Sequence, residues 1–491
     1  MYERTRPRDA KLRQDTDLVS CTEYVKSDSR DRVFSRPEPA GSGLFYVRLA
    51  EQVSNRCESG VRPAVGRAWP KALQFFRRQE MNDNDYMRLA LQLAERGAGW
   101  TSPNPMVGAV IVKEDRIIGQ GWHARYGELH AERNALRNCT EAPAGGTMYV
   151  TLEPCCHHGK QPPCTDAVLE AGIARVVVGS ADPNPLVAGR GIEILRTHGI
   201  EVTEGVLRAE CDALNRIFMH YVTTRRPFVS MKYAMTMDGK IATHTGAARW
   251  VTGEAARQHV QAQRHRFRGI MIGVGTVLAD DPLLTCRIPG GRNPIRIICD
   301  TQLRTPLSAQ VVTSAQEVPT ILATCCEDPE RHAPYLAAGC RVLCVPETSR
   351  TRSNAEADSS TLPISTGADH ATDAASVHTG HTSPGTEEAK HHPHLDLTAL
   401  MSILGAEGID SILLEGGGTL NWSALECGIV QQVQCYIAPK LFGGQTAKTP
   451  VEGFGVPTPD AGFRLTNRRI TELGDDILIE SEVVYPCLQE D

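Results

Sequence analysis

The residues best suited to chemistry gather in one stretch: His130-Ala131-Glu132 at the start of a predicted helix, then Pro154-Cys155 after a predicted strand, and Cys164 after an eight-residue spacer. One imidazole and two thiolates supply three protein ligands for a catalytic zinc, which favours tetrahedral N and S ligation and leaves its fourth position to water. Zinc held this way acidifies water to near neutral pH, enough for attack on an amidine-like carbon. Glu132 lies two positions after the histidine and suits proton transfer from that water to departing ammonia, as in the nucleobase deaminases. A closed structural zinc is the competing reading, with Cys156, His157 and His158 all near enough to be a fourth ligand. A purely structural site has no use for a proton shuttle beside its ligands, and the ordered H-x-E and P-C pair is far more specific than a lone C-x-x-C.

Alternating strands and helices must position this set. Asp83 or Asp85 caps a first helix with an apolar stripe of Met87, Ala90, Leu91 and Ala94. VGAVIV from 107 reads as a buried strand, Ala131 to Leu136 as a helix start, TMYVTL as a strand, Thr165 to Gly172 as a second helix, and RVVVGS as another strand. The pattern restarts near Pro227 with FVSMKYAMTMDG and continues through IMIGVGTVL, IRIICD and SILLEGGG. Two α/β domains follow, over 81–225 and 226–491. Residues 1–80 show no sustained period, so they form either an extension without structure or the product of a start upstream of a natural initiator at Met81; intact mass decides. The stretch 347–394 shifts to Ser, Thr, Ala, Asp and His without apolar periodicity and reads as a disordered insertion in the second domain.

Composition narrows the function classes. A chain of 491 residues exceeds one ordinary core. With 41% hydrophobic and 22% charged residues it is of ordinary globular composition, and it has no apolar run approaching the roughly 18 residues of a membrane helix. A net charge of -6 without a long basic run offers little to nucleic acid. The 16 cysteines, spread thinly, read mostly as reduced core thiols, and nothing at the N-terminus looks like an export signal. A cytoplasmic enzyme with a small-molecule substrate, and neither nucleic acid nor membrane as partner, is the expectation.

The run EPCCHHGKQPPC places the second cysteine ligand nine positions after the first, where the usual deaminase signature is P-C-x-x-C. That long loop, with TSPNPMVGAV at 101–110, HAE at 130–132 and ADPNPLVAGRGI at 181–192, resembles the bifunctional deaminase–reductase family of riboflavin biosynthesis over about 145 residues. The resemblance implies a cytidine-deaminase-like α/β/α domain with His130, Cys155 and Cys164 as zinc ligands and Glu132 as proton shuttle. Cys156 becomes a loop residue, since the family often has Ser there. Asn104, His130, Lys160, Asp182 and Asn184 are then expected at the substrate's ring, ribose or phosphate. On their own, the PNP runs are turns that can aim amide and carboxylate groups into a pocket, and Lys160 is a point charge for a phosphate.

In the second domain, MKYAMTMDGKIA, RWVTG, GVGTVLADDPLLTCR and LLEGGGTLN resemble the reductase half of the same family, a dihydrofolate-reductase-like α/β domain. A glycine-rich turn between strand and helix presents backbone N–H groups to a dinucleotide pyrophosphate, and Gly416, Gly417 and Gly418 stand where that is needed. No G-x-G-x-x-G follows the first strand, so a standard Rossmann domain is not expected. The resemblance implies NADPH contacts at Ala234, Trp250, Thr276, Asp280, Thr301 and the run Gly417, Gly418, Thr419, Leu420, Asn421, Trp422 and Ser423. It implies substrate contacts at Lys232, Ala248, Arg264, Leu284, Arg287 and Glu415, the arginines for phosphate and Lys232 with Glu415 for sugar hydroxyls. Taken singly, Trp250 and Leu284 fit a core as well.

The implied reactions are hydrolytic deamination of 2,5-diamino-6-(5-phosphoribosylamino)pyrimidin-4-one and NADPH-dependent reduction of its ribosyl group, in a homo-oligomer built through the reductase domain. The alternatives are a zinc deaminase of another base or nucleoside with a non-catalytic C-terminal half, and a binding protein with structural zinc.

Overall fold

The computed structural model describes residues 81–159, 161–185, 187–348 and 394–485. Its first helix, α1 (Asp83–Glu95), is capped by Asn82 and not by Asp83 or Asp85: the Asn82 side chain accepts from the Asn84 and Asp85 N–H groups, and the Asp85 carboxylate accepts from the Asn82 N–H. This is a reciprocal capping box. Asp83 instead pairs with Arg175 at 2.7 Å and accepts from the Tyr149 hydroxyl at 2.8 Å, tying the helix to the sheet beneath it. The buried face of α1 is Tyr86, Met87, Ala90, Leu93 and Ala94, so Leu93 takes the place expected of Leu91.

Strands β1 (Gly108–Lys113), β2 (Arg116–Trp122), β3 (Thr147–Leu152), β4 (Arg175–Ser180) and β5 (Glu201–Glu204) form a sheet in the order β2-β1-β3-β4-β5. β1 runs antiparallel to β2 and β3, and β3, β4 and β5 are parallel. The pleat sends alternate side chains to opposite faces, and both are covered. Ala109, Ile111, Met148, Val150, Val176 and Val178 pack under α2 (Ala131–Arg137), α3 (Cys164–Glu170) and α4 (Arg190–Thr197). Val110, Val112, Tyr149 and Val177 pack under α1 and α5 (Arg208–Leu214). The result is the expected α/β/α layering. At Gly108 a Cβ would lie 1.9 Å from the Ala90 carbonyl oxygen, so glycine lets α1 lie close against β1.

Helix α6 (Arg216–Thr224) leads into the second sheet. Nine strands are ordered β10-β9-β8-β7-β11-β6-β12-β14-β13: β6 (Phe228–Thr236), β7 (Gly269–Gly273), β8 (Ile295–Cys299), β9 (Thr320–Thr324), β10 (Arg341–Cys344), β11 (Ser411–Leu414), β12 (Gln432–Ala438), β13 (Arg464–Leu473) and β14 (Asp476–Val484). All pairs from β10 to β12 are parallel, and the hairpin β13–β14 closes the edge antiparallel. The helices of this half are α7 (Glu254–Arg266), α8 (Val274–Asp280), α9 (Gln310–Thr313), α10 (Pro329–Ala337), α11 (Leu397–Ala406) and α12 (Gly418–Glu426). Within the run IMIGVGTVL the strand ends at Gly273 and the second half is helix α8.

Most of the insertion expected at 347–394 lies outside the described residues, as does the extension 1–80. The chain on either side of the insertion meets: Glu347 bridges to Leu395, and the Thr348 N–H donates to the His394 carbonyl at 2.9 Å. Among the described residues no helix is long and apolar enough to cross a membrane.

Candidate active sites

Three element ends bring the metal-type ligands together. His130 is the extended residue before α2, Cys155 follows the end of β3 by way of Glu153 and Pro154, and Cys164 is the first residue of α3. The two sulfurs lie 3.5 Å (Cys155) and 3.4 Å (Cys164) from His130 Nδ1, and the three donor atoms fall within 4.8 Å of one another. Ligand bonds of about 2.3 Å to S and 2.1 Å to N in a tetrahedron separate S from N by about 3.6 Å. The donor set therefore fits zinc in kind and in spacing. Cys156, His157 and His158 are not in this group, which leaves a fourth position open to the cavity beside it.

Hydrogen bonding from Cys164 and from the His130 ring holds the Cys155 thiol well below its usual range, as a ligand thiolate requires. Glu132, in the first turn of α2, is 3% exposed. Burial, and next the Cys155 charge, push its carboxyl above the ordinary carboxylate range, so it can carry a proton.

The cavity beside these groups measures about 280 Å³, and Asn104, Asp182 and Asn184 line it. Burial pushes the Asp182 carboxyl up to about 6, and the Asn184 N–H donates to it at 2.8 Å. Lys160 lies outside the described residues, while its neighbours Gly159 and Gln161 line the cavity.

Sequence reasoning missed several lining residues, among them His123, Phe218 and Glu153. His123 Nδ1 donates to the Leu129 carbonyl at 3.1 Å, leaving Nε2 to accept from the Asn104 amide at 3.3 Å. Phe218 reaches in from α6. Glu153 accepts four main-chain N–H groups, from Asp182 (3.2 Å), Gly189 (3.0 Å), Gly191 (3.0 Å) and Ile192 (3.3 Å), so it fastens the Asp182–Asn184 loop to the segment after β3 that carries Cys155. A carboxylate at the end of an otherwise buried, apolar strand was the available signal.

The second site lies at the carboxyl ends of parallel strands, where open α/β sheets bind ligands. Glu415 follows the last residue of β11, and Gly416 and Gly417 lead into α12, with Gly417 as its extended cap. A Cβ on Gly418 would lie 2.6 Å from Glu452 Cγ and 2.8 Å from the Thr449 carbonyl oxygen, so this turn admits no larger residue without movement. Thr276, in the first turn of α8, lies beside it: its Oγ1 is 3.6 Å from where a Gly417 Cβ would be. This cradle of glycines at a helix start fits a dinucleotide pyrophosphate.

Arg264 holds Glu415 through two hydrogen bonds of 2.9 Å, and Lys232 Nζ lies 4.0 Å away. Burial would raise the Glu415 carboxyl, but Arg264 and Lys232 outweigh it and hold it at about 2. The Arg264 guanidinium is thus occupied by Glu415 and the Thr285 carbonyl, a different task from the phosphate binding expected of it. Arg287 is exposed and adds its charge to the same cluster.

Thr301 follows β8 and Ala234 lies in β6, while Asp280 ends α8 at the surface. Ala248 is exposed in the 237–253 loop, and Trp250 is 58% exposed with Arg257 over its ring at 4.9 Å, so Trp250 is no core residue. Leu284 is the reverse case: it is 4% exposed and packs with Ile270, Ile298 and Leu303, so its side chain belongs to the core. Along α12, Thr419, Leu420 and Ser423 keep exposed or half-exposed surface. Asn421 donates to the Pro450 carbonyl at 2.8 Å while its buried Oδ1 has no hydrogen-bond partner, and Trp422 stacks edge-on against Phe463.

The cytidine and deoxycytidylate deaminase zinc-binding region matches residues 80–180, and the RibD C-terminal domain matches residues 227–479. The riboflavin biosynthesis protein RibD of Actinobacillus pleuropneumoniae is 48% identical over 407 residues, which cover 83% of this chain and 96% of that protein. The chain belongs to the RibD family. RibD of Escherichia coli strain K12 is 39% identical, with 74% of this chain and 89% of that protein covered. The RibD structure from Acinetobacter baumannii aligns with a TM-score of 0.64 at 32% identity, covering 82% of this chain and 99% of that one. A diaminohydroxyphosphoribosylaminopyrimidine deaminase/5-amino-6-(5-phosphoribosylamino)uracil reductase from Thermotoga maritima aligns with a TM-score of 0.63 at 33% identity, over 82% and 99% of the two chains. Like other RibD proteins, this chain is a bifunctional enzyme of riboflavin biosynthesis, with a zinc-binding deaminase domain and a reductase domain.

Proposed function

We propose that the chain hydrolyses the exocyclic amine of 2,5-diamino-6-(5-phosphoribosylamino)pyrimidin-4-one and then reduces the ribosyl group with NADPH to give 5-amino-6-(5-phosphoribitylamino)uracil. The observation that carries this reading is the convergence of His130, Cys155 and Cys164 beside a buried Glu132, on a cavity lined by Asn104, Asp182 and Asn184.

Zinc held by His130, Cys155 and Cys164 supplies the Lewis acid that makes water a nucleophile at neutral pH. Glu132, raised by burial, takes the proton from the attacking water and delivers it to the departing nitrogen as the carbonyl forms and ammonia leaves. Asn104, held by His123, and Asp182 with Asn184, held by Glu153, orient the ring and ribose, and Lys160 meets the phosphate.

In the reductase domain the glycine turn and Thr276, Ala234, Trp250, Asp280, Thr301 and α12 hold the dinucleotide. NADPH bound there supplies the hydride that reduces C1′ of the opened ribose. Lys232 and Glu415 bind the sugar hydroxyls, Arg264 fixes Glu415 as an anion, and Arg287 is the cation left for the phosphate.

The domains divide at 225/226, where Arg225 ends α6 in a left-handed conformation. We read the edge strand β13, exposed along nearly all its length with Leu465 and Ile470 about half exposed, as supporting a homodimer through the reductase domain. The unbridged cysteines of the described chain support a cytoplasmic setting.

A reductase pocket that reads the new ring carbonyl discriminates against the undeaminated amine by about 1 to 3 kcal/mol. Deamination therefore comes first. The test is a coupled assay that follows ammonia and NADPH separately: the deaminated ribosylamino-uracil phosphate oxidises NADPH quickly, and the diamino precursor does so only after ammonia release. Equal initial NADPH rates on both compounds remove the ordering, and no ammonia from the precursor removes the deaminase assignment.

A further inference from the structure

The last turn of α7 belongs to the reductase half, and its three consecutive residues point to three different places. Arg264 grips Glu415 in the reductase site. His265 is docked on the deaminase segment 97–101. Its Nδ1 accepts from the Arg292 N–H at 2.9 Å, its ring also hydrogen-bonds the Ala98 backbone, and it meets Trp100 edge-on with centroids 5.3 Å apart. A Cβ on Gly99 would fall 2.5 Å from His265 Nε2, and Gly99 has φ of +77°, so the segment is shaped to seat this ring. Arg266 donates to the Leu214 carbonyl at 3.2 Å.

What His265 seats leads directly into the deaminase cavity. The Trp100 carbonyl accepts from the Tyr126 N–H at 3.0 Å, and the Arg125 guanidinium lies 4.5 Å over the Trp100 ring. Tyr126, Gly127 and Glu128 then line the cavity, and so does Asn104, whose N–H donates to the Thr101 carbonyl at 2.8 Å. Arg266 lines a separate crevice of about 30 Å³ together with Ser102; the Arg266 Nε and the Ser102 Oγ are both buried without a hydrogen-bond partner. Asn104 and Phe218 are walls common to this crevice and the cavity.

We propose that the reductase domain braces the deaminase's substrate wall from behind, with His265 and Arg266 as positioning residues for deamination. The inference rests on the proposed function. His265 acts through Trp100 on Tyr126 to Glu128 and through Thr101 on Asn104; it touches neither the metal ligands nor Glu132. Its loss therefore affects substrate binding and leaves the chemical step intact, and the signature is a change in KM at nearly constant kcat.

The test uses the full chain and the diamino precursor, following ammonia. His265→Ala is expected to raise the deamination KM about tenfold with kcat within about twofold and zinc content unchanged. His265→Gln keeps one donor and one acceptor and is expected to return KM to within about threefold of the parent. Gly99→Ala pushes on the same ring from the deaminase side and is expected to reproduce the rise in KM, with NADPH oxidation on the deaminated compound unchanged. A deamination KM within twofold of the parent in His265→Ala overturns the proposal, as does a loss carried by kcat or by zinc. His265→Gln no better than His265→Ala overturns the hydrogen-bonded clamp. A parent chain that releases no ammonia sinks the function reading, and this inference with it, and is told apart by that control alone.

Discussion

Replacing Glu153 by Gln tests how the deaminase site is held. The carboxylate takes the N–H groups of Asp182 and Gly189 on one oxygen and those of Gly191 and Ile192 on the other. A glutamine keeps one acceptor oxygen and turns an NH₂ group toward the other pair. Two charge-assisted hydrogen bonds are lost, each worth about 1.5 to 3 kcal/mol, and two donors are left facing a donor. Part of that cost is relieved as the loop moves out toward solvent, so about 3 kcal/mol is expected to remain as the work of ordering Asp182 and Asn184 when substrate binds. At about 1.4 kcal/mol per factor of ten, this is roughly a hundredfold loss in kcat/KM for deamination, most of it in KM. Zinc stays bound because His130, Cys155 and Cys164 are untouched, and NADPH oxidation on the deaminated compound is unchanged. Steady-state ammonia release, with metal analysis of the same sample, measures both. A KM within twofold of the parent would refute the loop-fastening argument, and loss of zinc would show that Glu153 supports the ligand strand instead.

Other expectations separate the roles assigned above. Glu132→Gln keeps zinc but lowers deamination by at least about a hundredfold, the low end of what a positioned proton-transfer group contributes; zinc loss in this variant would reassign Glu132 to ligation. Cys164→Ser depletes zinc, since two ligands bind far more weakly than three; full metal content by atomic absorption would move the third ligand to Cys156 or a neighbouring histidine. Removing 349–393 and joining the ends with a short Gly/Ser link leaves both activities within about twofold, because the flanking chain already meets at Thr348 and His394; failure of the shortened chain to oxidise NADPH would make the segment part of the fold.

Elements with a strong apolar pattern were legible in the sequence. TMYVTL and RVVVGS are strands with the expected bounds, Thr147–Leu152 and Arg175–Ser180, because both faces of the first sheet are buried and the runs are continuously apolar. β2, RIIGQGW, escaped notice because glycines break its run. Cβ atoms at Gly119 and Gly121 would fall 2.5 Å from the Ala135 carbonyl oxygen and 2.2 Å from the Ala135 nitrogen, so close packing of α2 replaced the apolar signal. α7, EAARQHVQAQRHR, is polar almost all round and buries Ala256, Val260 and Gln263. Its inner face pairs His259 with the Tyr436 hydroxyl, a contact no hydrophobic period announces. The cluster of His130, Cys155 and Cys164 with Glu132 beside it was readable because metal chemistry fixes residue types and order. His123 and Glu153 were not, since they act through hydrogen bonds to loops distant in sequence.

The meeting of Thr348 with His394 has a practical consequence. For any loop of 45 residues, the number from 349 to 393, closure costs only about 2 kcal/mol more than for a five-residue turn. The fold therefore offers a port on its reductase half whose two mouths lie one hydrogen bond apart. A folded module with neighbouring termini, such as a fluorescent reporter or an affinity domain, can be spliced there with both catalytic centres left in register.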